Sequence, residues 1–301
     1  MSARTIVVVG ATGEQGSGAI RALLASTSFT VRAVTSNPAG EKARALLGRF
    51  PEEAQDGRLE LVQADLNDMA SLKKALESAY GLFAAWASAG NELQEGKNLV
   101  DAAKVVGIAH FVYSSYPSIA KATNGRFSGI SVLNVKADIE AYAREHLPAV
   151  TAVVPENGVA VFTPPIEADT ITEWVDGGHD VGVFAAAIFH RGASVASGKT
   201  YYIAGPSLTF DKLVEQYAAV TGEKAVYRPR SPEEVVASLS LPDEVKTILI
   251  ELSTWINTSK NPQRRFFGMV TNEEVQQGEV QLGVKPSTFE EWLRRSGWRV
   301  Q

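Results

Sequence analysis

Apolar side chains in the first half of this chain come in short runs, separated by stretches in which apolar residues recur at helical spacing. The runs cover residues 5–9, 29–34, 59–63, 81–86, 110–114 and 150–154. They lack the polar alternation of a half-exposed strand, as expected of strands covered on both faces. The amphipathic stretches lie between them, at 16–25, 39–47, 71–79, 95–106 and 134–145. Ser71 suits the N-cap of the third of these. Strands alternating with helices predict an α/β fold built on a parallel, doubly wound sheet.

The texture changes after Pro155. Pro164-Pro165 and Gly177-Gly178 interrupt the pattern. A helical run at 181–189 and a strand at 200–203 are expected to return to the main sheet. Helical patterns then dominate, at 210–220, 232–239, 243–257 and 288–295. The last begins at Ser287-Thr-Phe-Glu-Glu291, which resembles a capping box. The expected organisation is a domain over 1–155, joined by 176–205, with a smaller, mainly helical substrate lobe from 156–175 and 206–301. Such a lobe over the C-terminal edge of the sheet makes a cleft where open α/β sheets bind ligands.

The clearest chemistry sits at the start. The run Ile6–Val9 meets glycines at positions 10, 13 and 16, and a helical stretch follows. A buried strand, a glycine turn and a helix N-terminus together cradle a pyrophosphate, because bare N–H groups and the helix dipole face the negative charge. The spacing is G-x-x-G-x-x-G rather than the stricter G-x-G-x-x-G. A dinucleotide is the first candidate ligand, and a merely structural turn is the alternative.

Composition narrows the field. The chain has 301 residues, 45% hydrophobic and 21% charged, with a net charge of −5. Charges of both signs are scattered, so nucleic acid is not an expected partner. The absence of cysteine excludes disulfides, thiol catalysis and cysteine-ligated metals. Apolar windows fall short of a membrane span and the N-terminus lacks a leader pattern, so a cytoplasmic protein without a membrane partner is expected. His110, His146, His179 and His190 show no metal-ligand spacing, and no metal site is expected. Asp180 reads as a helix start, and Lys97 and Lys104 as solvated. The pairs Arg264-Arg265 and Arg294-Arg295 read as surface charge. Trp255, Phe266 and Phe267 suit either a wall of a substrate lobe or ordinary core. No G-x-S-x-G elbow supports a serine hydrolase.

Several segments in order resemble the NmrA-like family of atypical short-chain dehydrogenase/reductase relatives. They are Gly10-Ala-Thr-Gly-Glu-Gln-Gly16, Val31-Arg-Ala-Val-Thr35, Gln63-Ala-Asp-Leu66, Gly96-Lys-Asn-Leu-Val-Asp-Ala-Ala-Lys104 and Phe111-Val-Tyr-Ser-Ser115. Looser matches follow at His179-Asp-Val-Gly182, Thr221-Gly222 and Thr288-Phe-Glu-Glu-Trp-Leu293. The resemblance spans nearly the whole chain and implies NAD(P) binding on a Rossmann fold. It places Gly10, Thr12, Gly13, Glu14, Gln15 and Gly16 at the pyrophosphate, Ser36 and Asn37 at the adenosine ribose, and Asp65 and Leu66 at adenine. Ala84, Ala85 and Trp86 would line the middle of the cofactor, with Ser115, Lys136, Pro155 and Asn157 towards the nicotinamide.

The chain departs from the family's pattern in three ways. The second strand ends in Thr35-Ser36-Asn37, where neither an acid for a ribose hydroxyl nor an arginine for a 2′-phosphate stands, and family habit favours NADP(H) over NAD(H). Val132 replaces the tyrosine of the Tyr-x-x-x-Lys pair, leaving Lys136 as a catalytic candidate and Tyr116 as a substitute hydroxyl. The chain is also shorter than relatives at 86–93 and 156–162, which implies truncated substrate loops. The resemblance allows an oxidoreductase acting on a small, largely apolar carbonyl, enone or imine. The alternative it allows is a non-catalytic redox sensor with a regulatory protein partner, and after that a Rossmann protein with non-redox chemistry.

Overall fold

The computed structural model describes residues 3–88, 91–155, 165–172 and 174–299. The first half runs β1 (Arg4–Val9), α1 (Glu14–Leu24), β2 (Phe29–Thr35), α2 (Glu41–Gly48), α3 (Pro51–Gln55), β3 (Leu59–Gln63), α4 (Met69–Leu76), β4 (Gly81–Ala84), α5 (Glu92–Val106), β5 (His110–Ser114), α6 (Ile119–Ala122), α7 (Ser131–His146) and β6 (Val150–Pro155). Then come β7 (Ile171–Thr172), α8 (Asp180–Arg191), α9 (Ala193–Ala196), β8 (Thr200–Ile203), β9 (Leu208–Thr209) and α10 (Phe210–Thr221). The chain ends with α11 (Pro232–Ala237), α12 (Asp243–Ile256), β10 (Arg264–Arg265), β11 (Val270–Thr271), α13 (Asn272–Leu282) and α14 (Phe289–Ser296).

Seven strands form one sheet in the order β3-β2-β1-β4-β5-β6-β8, and every pairing in it is parallel. The order reverses between β1 and β4, which opens a crevice at the C-terminal ends of those strands. Both faces are covered. Ile6, Val8, Val31, Phe83 and Val112 point to the core shared with α1 and α8, whereas Val7, Val9, Leu82 and Tyr113 point to the core shared with α4, α5 and α7. This two-sided burial explains why the strands read as unbroken apolar runs.

Helices α1 and α8 approach closely because glycines face each other. A Cβ on Gly182 would lie 2.2 Å from the Gly18 carbonyl oxygen, and one on Gly18 would lie 2.5 Å from that of Gly178. The remainder is mainly helical, with two small antiparallel pairs, β7-β9 and β10-β11. Aromatic packing holds it: Trp174 meets Phe289 edge-on at 4.8 Å, and Trp255 meets Phe267 at 5.0 Å.

Some local expectations are corrected. Asp68, not Ser71, caps α4, accepting from Ala70 N at 2.9 Å. The Ser71 hydroxyl instead serves the preceding turn, accepting from Asp65 N and donating to Asp68 O. The β4 strand stops at Ala84 rather than 86, because Ala84 is its last residue paired with β1 and β5. The final capping box lies in the expected segment, formed by Thr288 and Glu291. No helix among the described residues is long and apolar enough to cross a membrane.

His110 is fully buried at the start of β5. Thr151 Oγ1 donates to Ala196 O at 2.8 Å, so His110 Nε2 donates to Thr151 Oγ1 at 2.9 Å. That leaves Nδ1 unprotonated, with no partner among the described residues. Burial, helped by the Arg4 charge, pushes the imidazole pKa down to about 4. The unfolded chain therefore takes up this proton first as the medium is acidified, and stability drops from pH 6.5 towards pH 4. Across that window the wild-type advantage over His110→Gln, measured by urea unfolding, is expected to shrink by about 3 kcal/mol. Parallel curves would contradict the assignment.

Candidate functional site

The glycine turn joins β1 to α1 beneath the crevice, and its three glycines do different work. Gly10 has φ +77°, and a Cβ there would meet Ala85 O at 1.9 Å, so the turn is left-handed and pressed against the chain leaving β4. Gly16 lies inside α1, and a Cβ there would meet Gly10 O at 2.1 Å, which lets the helix sit on the turn. Gly13 is the N-cap of α1, with ordinary φ −80° and ψ 171°, and a Cβ there would touch only Gly10 O, at 3.3 Å. Its constraint is therefore not internal. Gly13 N donates to Gly10 O, and Ser17 N makes the first helical bond back to Gly13 O. Helix geometry leaves the N–H groups of Glu14, Gln15 and Gly16 without an intrahelical acceptor. These features fit a diphosphate: a bare glycine, exposed amides and the positive end of a helix dipole.

A cleft of about 310 Å³ opens beside this turn. Val9, Gly10 and Thr12 form its floor. Val34, Thr35 and Ser36 at the end of β2, and Ala64, Asp65 and Leu66 after β3, form one side. Trp86, Ala87, Ser88 and Glu95 form the other. Glu95 fixes this second wall, accepting from Trp86 Nε1 and Ser88 Oγ, both at 3.1 Å. Asp65 is held in its own turn by Asn67 N, and Asn98 Nδ2 donates to Leu66 O. The structure thus gathers Gly10, Thr12, Ser36, Asp65, Leu66 and Trp86 from four strand ends around one cleft. Asn37 is exposed just outside it, its N–H donating to Thr35 Oγ1.

The remaining predicted residues lie around this cleft or apart from it. Glu14 is exposed on the first turn of α1, beside Gly177 and Gly178. Gln15 Oε1 accepts from Ser114 Oγ at 2.7 Å, tying the helix start to β5. Ala84 is fully buried at the end of β4, and Ala85 N donates to Val9 O. Ser115 is buried and its hydroxyl donates to Lys136 O. Lys136, on α7, donates to Glu92 Oε1 at 2.7 Å and to Trp86 O at 3.1 Å. Pro155 pairs with Ile203 at the end of β6, and Asn157 lies outside the described residues, as do 156–162 and part of 86–93.

Tyr116 is placed elsewhere. It is buried against Phe266, in the cluster that also holds Trp255 and Phe267, and it lines a second cavity with Lys121, Arg144 and Tyr202. Tyr113 offers no substitute, since its buried hydroxyl lacks a partner among the described residues and burial pushes its pKa up. Sequence reasoning missed Glu92 and Glu95, the two acids that hold the walls. Their signal was faint: two acids in the first turn of a helix that follows a strand of the sheet.

Comparison with known proteins bears on this geometry. A profile of the NmrA-like family matches residues 2–293. The chain belongs to the NmrA-like family. It is 30% identical over 285 residues to the NmrA-like family domain-containing oxidoreductase hkm9 of Aspergillus hancockii, covering 82% of this chain and 81% of that one. It is likewise 30% identical to the NmrA-like oxidoreductase malD of Malbranchea aurantiaca, covering 74% and 75%. Among solved structures, NmrA, a negative transcriptional regulator in complex with NAD, matches with TM-score 0.79 at 22% identity over 99% of both chains. The triphenylmethane reductase of Citrobacter sp., complexed with NADP(H), matches with TM-score 0.72 at 21% identity over 97% and 99%. At these identities the structures show the shared fold. In this NmrA-like chain the glycines should separate by role. Gly16→Ala is expected to lower stability by about 2–3 kcal/mol, and Gly13→Ala to change it by less than about 1 kcal/mol, in chemical denaturation. Equal losses would contradict the division.

Proposed function

We propose that this NmrA-like chain is a cytoplasmic NAD(P)H-dependent oxidoreductase that reduces a small, largely apolar carbonyl, enone or imine. The observation that carries the reading is Gly13. A Cβ there would meet a single atom, Gly10 O at 3.3 Å, whereas the glycines on either side are locked by backbone contacts at 1.9 and 2.1 Å, as a turn shaped around a diphosphate requires. The relatives called oxidoreductases, at 30% identity, support the same class. Bound in the cleft, a reduced nicotinamide supplies the hydride.

The chain's own residues bind and orient. The amides at the start of α1 hold the diphosphate, the wall Trp86–Ser88 confines the adenosine side, and Lys136 holds the nicotinamide ribose. The mainly helical lobe from residue 206 onward covers the substrate. With Tyr116 packed on Phe266, water or a ribose hydroxyl is the favoured proton source. NADP(H) is the favoured coenzyme, because β2 ends in the neutral Thr35 and Ser36 and no carboxylate there repels a 2′-phosphate. Arg32 does not read that phosphate, since it is bonded to Glu60 and to the carbonyls of Ala75 and Glu77.

A second reading has one observation of its own: Val132 stands where the tyrosine of the Tyr-x-x-x-Lys pair would be. A redox sensor that answers to a protein partner needs no proton donor. Unequal affinity of the two coenzyme redox states for two lobe arrangements would drive it.

Gly13→Val is expected to abolish NADPH binding in fluorescence titration while leaving the circular dichroism and melting point unchanged. Unaltered affinity would remove the basis of both readings. NADPH oxidation on at least one member of a panel of ketones, enones and imines is expected. Bound NADPH that no acceptor oxidises would favour the sensor. Ser36→Asp is expected to weaken NADPH at least about tenfold relative to NADH, through repulsion of the 2′-phosphate. An unchanged ratio would place the phosphate elsewhere.

A further inference from the structure

Glu92 is a buried acid that no motif pointed to. It is the first residue of α5, its side chain is 10% exposed, and its Oε1 lies 2.7 Å from Lys136 Nζ. The same ammonium donates to Trp86 O at 3.1 Å. One acceptor opens α5 and the other, Trp86 O, lies in the connection between β4 and α5, whose residues Trp86, Ala87 and Ser88 wall the cleft. An ammonium has three N–H donors, and among the described residues this arrangement occupies two, leaving one for a ligand. Lys136 comes from α7, 44 residues away in sequence, and the Glu92 carboxylate holds it against Trp86, on the β4 side of the cleft.

A long lysine side chain carries rotamer freedom that a ligand would otherwise have to freeze. A carboxylate at ion-pair distance and a carbonyl oxygen together fix the ammonium before the ligand arrives. Glu92 also sits in the first turn of α5, where a negative charge is favoured by the helix dipole, so its own position is stable. A surface pair would have little such effect, but this one is shielded from solvent on both sides, at 21% and 10% exposure.

We propose that Glu92 is a positioning residue. It holds the Lys136 ammonium preorganised for the nicotinamide-side ribose, and so sets affinity for that half of the dinucleotide. This rests on the NAD(P)H-binding reading above. Removing the carboxylate weakens capture of the nicotinamide half and leaves the adenosine–diphosphate half untouched.

The test compares two ligands by titration calorimetry on the full chain: NADPH, and ADP, which carries adenosine and diphosphate but no nicotinamide ribose. In Glu92→Gln, NADPH is expected to bind about tenfold more weakly and ADP within about twofold of wild type. Glu92→Asp keeps the charge but shortens the reach, and is expected to fall between wild type and Glu92→Gln for NADPH alone. A general folding defect would instead weaken both ligands together and lower the melting point. Should Glu92→Gln fold poorly, Glu92→Asp carries the test by the same two-ligand comparison. NADPH binding that is unchanged or tighter in these variants, or an equal loss for both ligands, overturns the proposal and leaves the cofactor reading standing. Wild type that binds neither ligand overturns the cofactor reading and the proposal with it.

Discussion

The molecule turns on one close passage of backbone. Where β1 hands over to α1, the Gly10 peptide lies against the chain leaving β4 so tightly that no Cβ fits, and α1 lies on Gly10 just as tightly through Gly16. Two consequences follow. The helix axis is aimed at the C-terminal edge of the sheet, at the point where the strand order reverses. And the first-turn amides of α1 are brought to the mouth of a cleft instead of being spent on packing. The sheet supplies the rigidity this needs, since β1 and β4 are both covered on two faces.

The walls of the cleft are held by polar contacts that converge on its β4 side. Glu95 grips the Trp86 ring and Ser88, while Lys136, itself held by Glu92, grips the Trp86 carbonyl. The segment after β4 is therefore fixed from α5 and from α7 at once. That arrangement suits a dinucleotide whose two halves lie on either side of the glycine turn. The β2 side is plainer, with the uncharged Thr35 and Ser36 lining the cleft.

Much of this was legible in the sequence, for physical reasons that can be named. The strands at 59–63, 110–114 and 200–203 match the structure residue for residue, because charged or turn residues cut off each short run at both ends. Helix ends were less legible. Ser71 and Asp68 are both good caps, and the choice between them depended on which one the preceding turn claimed for itself. Helix α13 was missed because its apolar positions are few and widely spaced, although its start carries a capping box from Thr271 and Glu274. The antiparallel pairs β7-β9 and β10-β11 were missed because two-residue strands have no periodicity to read. At the site, glycines were readable because their spacing is local. Glu92 was not, because its partner lies on another helix and only the fold brings them together. Tyr116 looked available in sequence, yet the aromatic residues of the C-terminal part claim it.

The most direct test is a crystal structure of the protein grown with saturating NADPH. The diphosphate is expected to lie within about 3 Å of the amide nitrogens that follow Gly13 at the start of α1, a hydrogen-bonding distance. A nucleotide bound elsewhere, or a cleft that stays empty at saturation, would contradict the account.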